Sequence, residues 1–368
     1  MKVLVTGADG FIGSNLVAAL RERKHIEVIP FTRRTSVADL SAQAPSLDFV
    51  FHLAGVNRPP SEADFWHGNV DITRQLCEIL LSTGKAIPLL YTSSSQAALA
   101  NAYGQSKCAA EEVVRAYGAS SGARVSVLRL PNVFGKWCRP NYNSVVATFC
   151  HNIARDLPIN VVNAQHELTL VYIDDVVRSF LDVMDGRSEH TDAPEVAPQY
   201  TISVGELAEI IGSFRNSRNT LVTERVGVGL ERALYSTYVS SLPPECFIYP
   251  LTARHDKRGM FAEVLKTPDC GQFSFFTAHP GVTRGGHYHH TKTEKFLVLK
   301  GQARFGFRHI RSDEVYEVHT SGEHPVIVET VPGWAHDITN VGTEELVVML
   351  WANESFDPDR PDTISHKV

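Results

Sequence analysis

The chain has 368 residues, too many for one ordinary core and enough for two or three domains. Hydrophobic residues make up 43% and charged residues 21%, the formal net charge is -6, and the Lys and Arg are scattered, which excludes a nucleic-acid or anionic-membrane surface as the main business of the protein. No apolar run approaches the roughly 20 residues of a membrane helix and the amino terminus reads straight into a strand, so a cytoplasmic protein is expected.

Short apolar runs and helical stretches alternate from the start. Lys2 to Thr6, Ile26 to Phe31, Phe49 to Leu53 and Pro88 to Thr92 read as strands, and Phe11 to Arg23 and Asn69 to Thr83 as helices. This predicts βαβ units feeding a doubly wound parallel sheet, with strands apolar enough to be buried on both faces.

The first strand ends in Gly7-Ala8-Asp9-Gly10-Phe11-Ile12-Gly13 and passes directly into a helix. Glycine is needed where backbone turns sharply and lets a pyrophosphate approach its amides, and the helix amino terminus adds partial positive charge. Gly7, Asp9, Gly10, Phe11, Ile12 and Gly13 are therefore candidate cofactor residues, against the bland reading of a tight turn without ligand. The GxxGxxG spacing resembles that of the short-chain dehydrogenase/reductases, and Thr6-Gly7 fits their extended branch. After the second strand stand Thr32, Arg33 and Arg34, where an NAD-binding fold offers an acid to the ribose. With that acid missing, these three meet a 2'-phosphate and NADP(H) is favoured over NAD(H); a solvated basic turn is the alternative. Leu53, Ala54 and Gly55, after His52, match the family segment that walls the nicotinamide and its ribose.

Next come Tyr91-Thr92-Ser93-Ser94-Ser95 and Tyr103-Gly104-Gln105-Ser106-Lys107. Residues four apart on a helix share a face, so the Lys107 ammonium is expected beside the Tyr103 phenol, lowering its pKa. A strand-end serine holds the substrate carbonyl while the phenol supplies a proton, which makes a ketone reductase. Ser94 is the first choice, with Ser93 and Ser95 behind it. Arg129-Leu130-Pro131-Asn132-Val133-Phe134-Gly135 and Tyr172-Ile173-Asp174-Asp175-Val176 resemble further segments of the extended branch, which implies a nucleotide-sugar substrate. The cysteines Cys77, Cys108, Cys138, Cys150, Cys246 and Cys270 lack close pairing and read as free thiols.

Ser240 to Pro250, with Ser-Ser-Leu-Pro-Pro inside it, reads as a linker, giving domains 1–242 and 243–368. Beyond it the runs Gln272 to Ala278, Glu294 to Leu299, Ala303 to Ile310, Val315 to His319, Val326 to Val331 and Leu346 to Trp351 predict short strands of a β-barrel or double sheet. Residues two apart in a strand share a face, so His287 and His289 present two imidazoles to one point. Glu294 and His336 complete a set suited to Zn, Fe, Mn or Ni, zinc being favoured; a metal-free barrel with a His base is the alternative. His290 is expected to point away, and Lys292, Lys295 and Lys300 to lie at the rim, where one meets a diphosphate.

The spacing from Gly281 through His287, His289 and Glu294 to Gly301 resembles the first cupin motif, and Pro332-Gly333-Trp334-Ala335-His336 with Asn340 an altered second one. The combination, together with Pro131 to Cys138, Pro140 to Ser144, Tyr235-Ser236-Thr237-Tyr238, His289 to Lys292, Glu294 to Val298 and Phe356-Asp357-Pro358, resembles the CapF-type bifunctional enzymes. That resemblance implies a Rossmann-type reductase followed by a cupin β-barrel. The cupin would epimerise C3 of a UDP-2-acetamido-2,6-dideoxy-4-ketohexose at His287, His289, Glu294 and His336 around one divalent metal. The reductase would then reduce the C4 ketone with NADPH, for UDP-N-acetyl-L-fucosamine and capsule or O-antigen synthesis, in a homodimer. A redox sensor without turnover, and a reductase whose cupin is only a structural or sugar-binding module, stand as rivals.

Overall fold

The computed structural model describes residues 1–187, 195–251, 253–256, 259–262, 265, 271–354 and 359–368. Its first strands are β1 (Lys2–Thr6), β2 (Glu27–Phe31), β3 (Phe49–His52), β4 (Leu89–Ser94) and β5 (Val125–Leu130), followed by β6 (Asn132–Phe134), β7 (Glu167–Tyr172) and β8 (Gln199–Ser203). Strands one to five form a parallel sheet in the order β2-β1-β3-β4-β5. Because successive strand residues face opposite ways, Leu4, Val50, Leu89 and Tyr91 join one core with the helices Val37–Gln43, Ile72–Ser82 and Ala102–Ser121. On the other face Phe51 stacks on Phe180 of the helix Ile173–Met184, which packs beside the helix Phe11–Arg21. The expected double winding is therefore present. The order reverses at β1, whose carboxyl end with that of β3 makes the crevice where such sheets bind ligands.

The remaining strands are β9 (Ile248–Pro250), β10 (Ala253–Asp256), β11 (Gly259–Ala262), β12 (Gln272–Ala278), β13 (Thr283–Tyr288), β14 (Glu294–Lys300), β15 (Gln302–His309), β16 (Val315–Ser321), β17 (Val326–Glu329), β18 (Trp334–Asn340), β19 (Leu346–Ala352) and β20 (Ile364–Ser365). They form a hairpin, β10-β11, and two five-stranded sheets, β12-β19-β14-β17-β9 and β16-β15-β18-β13-β20. All six expected runs are strands, Gln272–Ala278 with the expected ends and the others with shifted ones; β9, β10, β11, β13, β18 and β20 are further strands that the apolar pattern did not mark. The segments Cys270 and Phe356-Asp357-Pro358 lie outside the described residues, and the five other cysteines are free thiols.

By compactness the chain divides into Met1–Arg139 with Leu168–Thr201, and Pro140–Glu167 with Ile202–Val368. The change of strand and helix pattern near residue 242 is thus not where packing divides. The helices Val204–Thr220 and Gly229–Ser240 belong to the second unit because their polar side chains end inside its sheets. Arg218 reaches Glu329 at 2.6 Å, and the Tyr235 hydroxyl donates to Glu329 at 3.1 Å. Glu329 also pairs across β14 and β17 with Lys295, its register partner. One buried carboxylate thus meets two buried cations, whose attraction holds it well ionised against its burial.

Candidate functional site

In the first unit the glycine turn has the geometry its sequence demands. Gly7 lies at φ +65, and a Cβ there would sit 3.0 Å from Ala54 Cα; a Cβ on Gly13 would lie 2.1 Å from the Gly7 carbonyl oxygen. Larger residues would push the turn off β3 or off its own helix. Gly10 precedes the helix in extended conformation and gives it no side-chain cap, leaving the first-turn amides to a ligand. Asp9 is exposed, and Phe11 and Ile12 half-buried, at the same turn.

The turn is tied to the segment after β3 by Thr6. Its hydroxyl accepts from the amides of Leu53 and Ala54, both at 3.1 Å, so its own proton goes to His52 Nδ1 at 2.8 Å. His52 therefore carries its proton on Nε2, which donates to Thr73 at 2.8 Å, and Thr73 donates onward to the Asn69 carbonyl. Complete burial, reinforced by nearby Lys107, pushes His52 down to about 3, so it stays neutral as a structural post. Gly55 faces the Lys107 ammonium: a Cβ would lie 3.7 Å from Nζ and 2.7 Å from Asn69 Oδ1. Thr32 accepts from the Arg34 amide, while the Arg33 and Arg34 side chains are exposed after β2.

The serine run sorts itself. Ser93 is buried and donates to Glu111 at 2.5 Å, a carboxylate also held by Arg129 and Arg115. Ser95 is exposed. Ser94 accepts from the Gln96 amide and is the serine whose hydroxyl acts on the Tyr103 phenol, lowering its pKa. Gly104 permits the approach, since a Cβ there would come within 2.2 Å of the Gln96 carbonyl oxygen in the turn after the serines. Asn101 caps the helix by accepting from the Gly104 amide at 2.7 Å, fixing where Tyr103 starts.

Lys107 corrects one expectation. Its ammonium donates to the Thr92 carbonyl at 2.7 Å and lies 4.6 Å from the centre of the Tyr91 ring. Burial lowers it to about 7, opposed by Glu111. Burial also raises the Tyr103 phenol, the Ser94 bond opposing, so the phenol is held up rather than down. Burial sets the direction of the Tyr103 shift.

Further along, Lys136 is buried and pairs with Asp174 at 2.8 Å, joining the two extended-branch segments; Gly135 lets Ile173 pack where a Cβ would stand 2.1 Å from it.

In the second unit His287, His289, Glu294 and His336 converge, their ligand atoms all within 4.8 Å of one another. His287 lies in β13, His336 opposite it in β18, and Glu294 opens β14 of the other sheet. His289 stands just beyond the end of β13 rather than within it. Glu294 Oε2 is 3.3 Å from His289 Nε2 and 3.4 Å from His336 Nε2. Burial would raise the carboxyl, but the two imidazoles hold it well below its usual range. Burial lowers His287 to about 4 and lowers His336 too, and both ring nitrogens of His336 lack a partner of hydrogen-bond geometry. Three imidazoles and a carboxylate converging on one point form a donor set that fits a divalent cation.

Asp362, which no spacing rule marked, organises this set. Its carbonyl oxygen accepts from His289 Nδ1 at 2.5 Å, which turns Nε2 toward the other three side chains. Its carboxylate accepts from the amides of His290, Thr291 and Lys292. Of the expected rim lysines only Lys300 is one, paired with Glu344 at the surface; Lys295 is buried on Glu329, and Lys292 is turned onto Glu294 Oε1 at 3.1 Å. Asn340 caps a turn, donating to the carbonyls of Ala278 and Glu344. No helix among the described residues is long and apolar enough to cross a membrane.

Residues 3–196 match the family model described as NAD dependent epimerase/dehydratase family, and residues 254–364 match the polysaccharide biosynthesis C-terminal domain. A UDP-2-acetamido-2,6-beta-L-arabino-hexul-4-ose reductase of Pseudomonas aeruginosa is 62% identical, the match covering 100% of this chain and 99% of that one. Among solved structures, the capsular polysaccharide assembling protein CapF of Staphylococcus aureus is 41% identical over 100% of both chains, with a TM-score of 0.70. A UDP-glucuronic acid 4-epimerase of Bacillus cereus, 20% identical over 60% of this chain and 84% of its own, shares the fold with a TM-score of 0.52.

Proposed function

The chain belongs to the NAD dependent epimerase/dehydratase family, and from that premise we propose that it is a bifunctional UDP-sugar enzyme, an NADPH-dependent 4-keto reductase with a metal-dependent 3-epimerase. The observation that carries the reading is the pair of assembled sites in a chain alike over its whole length to a reductase of a UDP-linked 2-acetamido hexul-4-ose. In this reading the cupin β-barrel is built from the two antiparallel sheets, the sequence boundary near 242 separates the two chemistries, and a homodimer works in the cytoplasm, where nucleotide sugars and NADPH are found.

For reduction, Ser94 hydrogen-bonds the C4 carbonyl and Tyr103 delivers a proton to its oxygen. Lys107, buried one turn along the same helix, holds charge beside Gly55, where the nicotinamide ribose would lie. NADPH, when bound at Gly7 to Gly13, Leu53 to Gly55 and Thr32 to Arg34, supplies the hydride. For epimerisation, the C4 ketone acidifies the C3 proton. His287, His289, Glu294 and His336 would hold one divalent metal, zinc fitting best, which supplies Lewis-acid stabilisation of the enolate oxygen. Reduction removes the activating ketone and fixes the new configuration at C3, giving a UDP-2-acetamido-2,6-dideoxy-L-talose.

Purified protein incubated with the UDP-linked 4-keto sugar should oxidise NADPH in proportion to the sugar reduced. No oxidation by the folded, metal-loaded protein would refute the reductase assignment.

A further inference from the structure

Between the ligands His289 and Glu294 the chain makes a turn centred on Thr291, and every polar group of Thr291 is engaged. Its amide and hydroxyl donate to Asp362 Oδ2 at 2.9 and 3.1 Å. Its carbonyl accepts from the Ser236 hydroxyl at 2.7 Å, a bond that is fully buried, and from Asn353 Nδ2 at 3.5 Å. Arg232 approaches its hydroxyl at 3.4 Å. Asn353 completes the grip by accepting from the Thr293 amide at 2.8 Å while its amide reaches the Val226 carbonyl at 3.4 Å. Ser236 and Arg232 lie on the helix Gly229–Ser240, whose sequence looks like the close of the reductase half, yet the side chains facing the sheets serve the other site.

We infer that Ser236 is a positioning residue for the metal centre: with Asp362 it clamps Thr291 from opposite sides and so sets the separation of His289 and Glu294. The inference rests on the proposed metal reading. A turn with both flanks ligating a common ion must be held before the ion arrives, because otherwise ordering it is subtracted from the affinity. Asp362 holds one flank through His289. Nothing on β13 or β14 reaches the Thr291 carbonyl, so the helix supplies the other. The metal half is accordingly built on residues from before the sequence linker, which is also why packing places that helix in the second unit.

The test uses the full chain. Zinc affinity is measured by chelator competition, and amide hydrogen exchange is followed in the zinc-free protein, for the unsubstituted chain, Ser236→Ala, Ser236→Thr and Thr291→Val. Loss of an outer partner of a metal ligand weakens binding by about 10- to 100-fold. Ser236→Ala, one bond further out, is expected at about ten-fold, with faster exchange at 290–294 and unchanged exchange in β1 to β5. Ser236→Thr, which keeps the hydroxyl, should restore both. Thr291→Val, which removes only the hydroxyl held by Asp362 and Arg232, should reproduce the Ala result if Ser236→Ala fails to fold. Unsubstituted affinity and exchange in Ser236→Ala, or in Thr291→Val when the former does not fold, would overturn the clamp. If the unsubstituted chain binds no zinc, the metal reading fails, while the exchange arm still decides the clamp.

Discussion

Replacing Lys107 with Met should abolish reduction and yet leave the protein more stable at neutral pH. A lysine lowered by burial from 10.5 to about 7 costs the fold about 5 kcal/mol when fully charged, at 1.36 kcal/mol per tenfold, and about 4 kcal/mol at pH 7. Met fills the same space without charge. Against this gain stand the lost hydrogen bond to Thr92, about 1 kcal/mol, and the lost contact with the Tyr91 ring, about 1 to 2 kcal/mol. The net expectation is about 1 to 2 kcal/mol in favour of the variant at pH 7. The sign with pH follows from which state holds the proton. Below about 7 both states are charged and the cost is full. Between about 7 and 10.5 the unfolded chain holds a proton that the folded chain lacks, so stability rises with pH until the cost is gone. Urea midpoints for both proteins at pH 6.5, 8 and 9.5, chosen as ~1.5-unit steps through that window, isolate the group because other titrations cancel in the difference. The advantage of Lys107→Met should shrink steadily as pH rises. A constant difference across that range, or a variant less stable throughout, would refute the buried-amine account.

Tyr103→Phe removes the proton donor and should lower reduction by about 10²- to 10⁴-fold while solvent proton exchange at the sugar continues, measured on one preparation by absorbance and mass spectrometry; loss of both in a folded protein would contradict two separate sites. Arg33→Ala with Arg34→Ala should weaken NADPH binding by at least about ten-fold and NADH little, by fluorescence titration, since a charge-assisted phosphate contact is worth about 1.5 to 3 kcal/mol; equal losses for both cofactors would remove the 2'-phosphate role. Glu329→Ala leaves Arg218 and Lys295 buried and unpaired, so a loss of about 3 to 5 kcal/mol is expected in thermal unfolding, and an unshifted transition would show that the network carries little. For the same reason a chain ending near Ser241 should not fold as an intact reductase, because Arg218 and Tyr235 would lose their partner.

Most of the first unit was legible because its signals are local. A glycine turn, a missing acid and a Tyr-to-Lys spacing of four each report on one stretch of backbone, whereas Ser94 was only the first choice of three serines, because the burial of Ser93 on Glu111 and the exposure of Ser95 leave no mark in the sequence. The sign of the Tyr103 shift was not legible, since it depends on burial, which no local spacing reports. In the second unit His287 and His289 followed from spacing and Glu294 and His336 from their register in the cupin resemblance, but the strands β13 and β18 had no apolar pattern to mark them. Thr283–Tyr288 holds two glycines and an arginine, and Trp334–Asn340 puts His336 and Asn340 inward, so neither has the apolar alternation of a strand. Asp362 and Ser236 were invisible because each acts through a partner tens of residues away on backbone atoms, which leave no mark in residue type. The same holds for the division of the chain: helical periodicity tells that Gly229–Ser240 is a helix, but not which sheets it packs against.

The most direct measurement is solvent deuterium incorporation at C3 of the UDP-linked 4-keto sugar without NADPH, in zinc-loaded and zinc-stripped protein. Incorporation in the loaded protein, lost on stripping and on His336→Ala and kept in Tyr103→Phe, is the expected result. Incorporation at the same rate in stripped protein would contradict a metal-dependent epimerase, and none in any form would leave a reductase whose last third is not an enzyme.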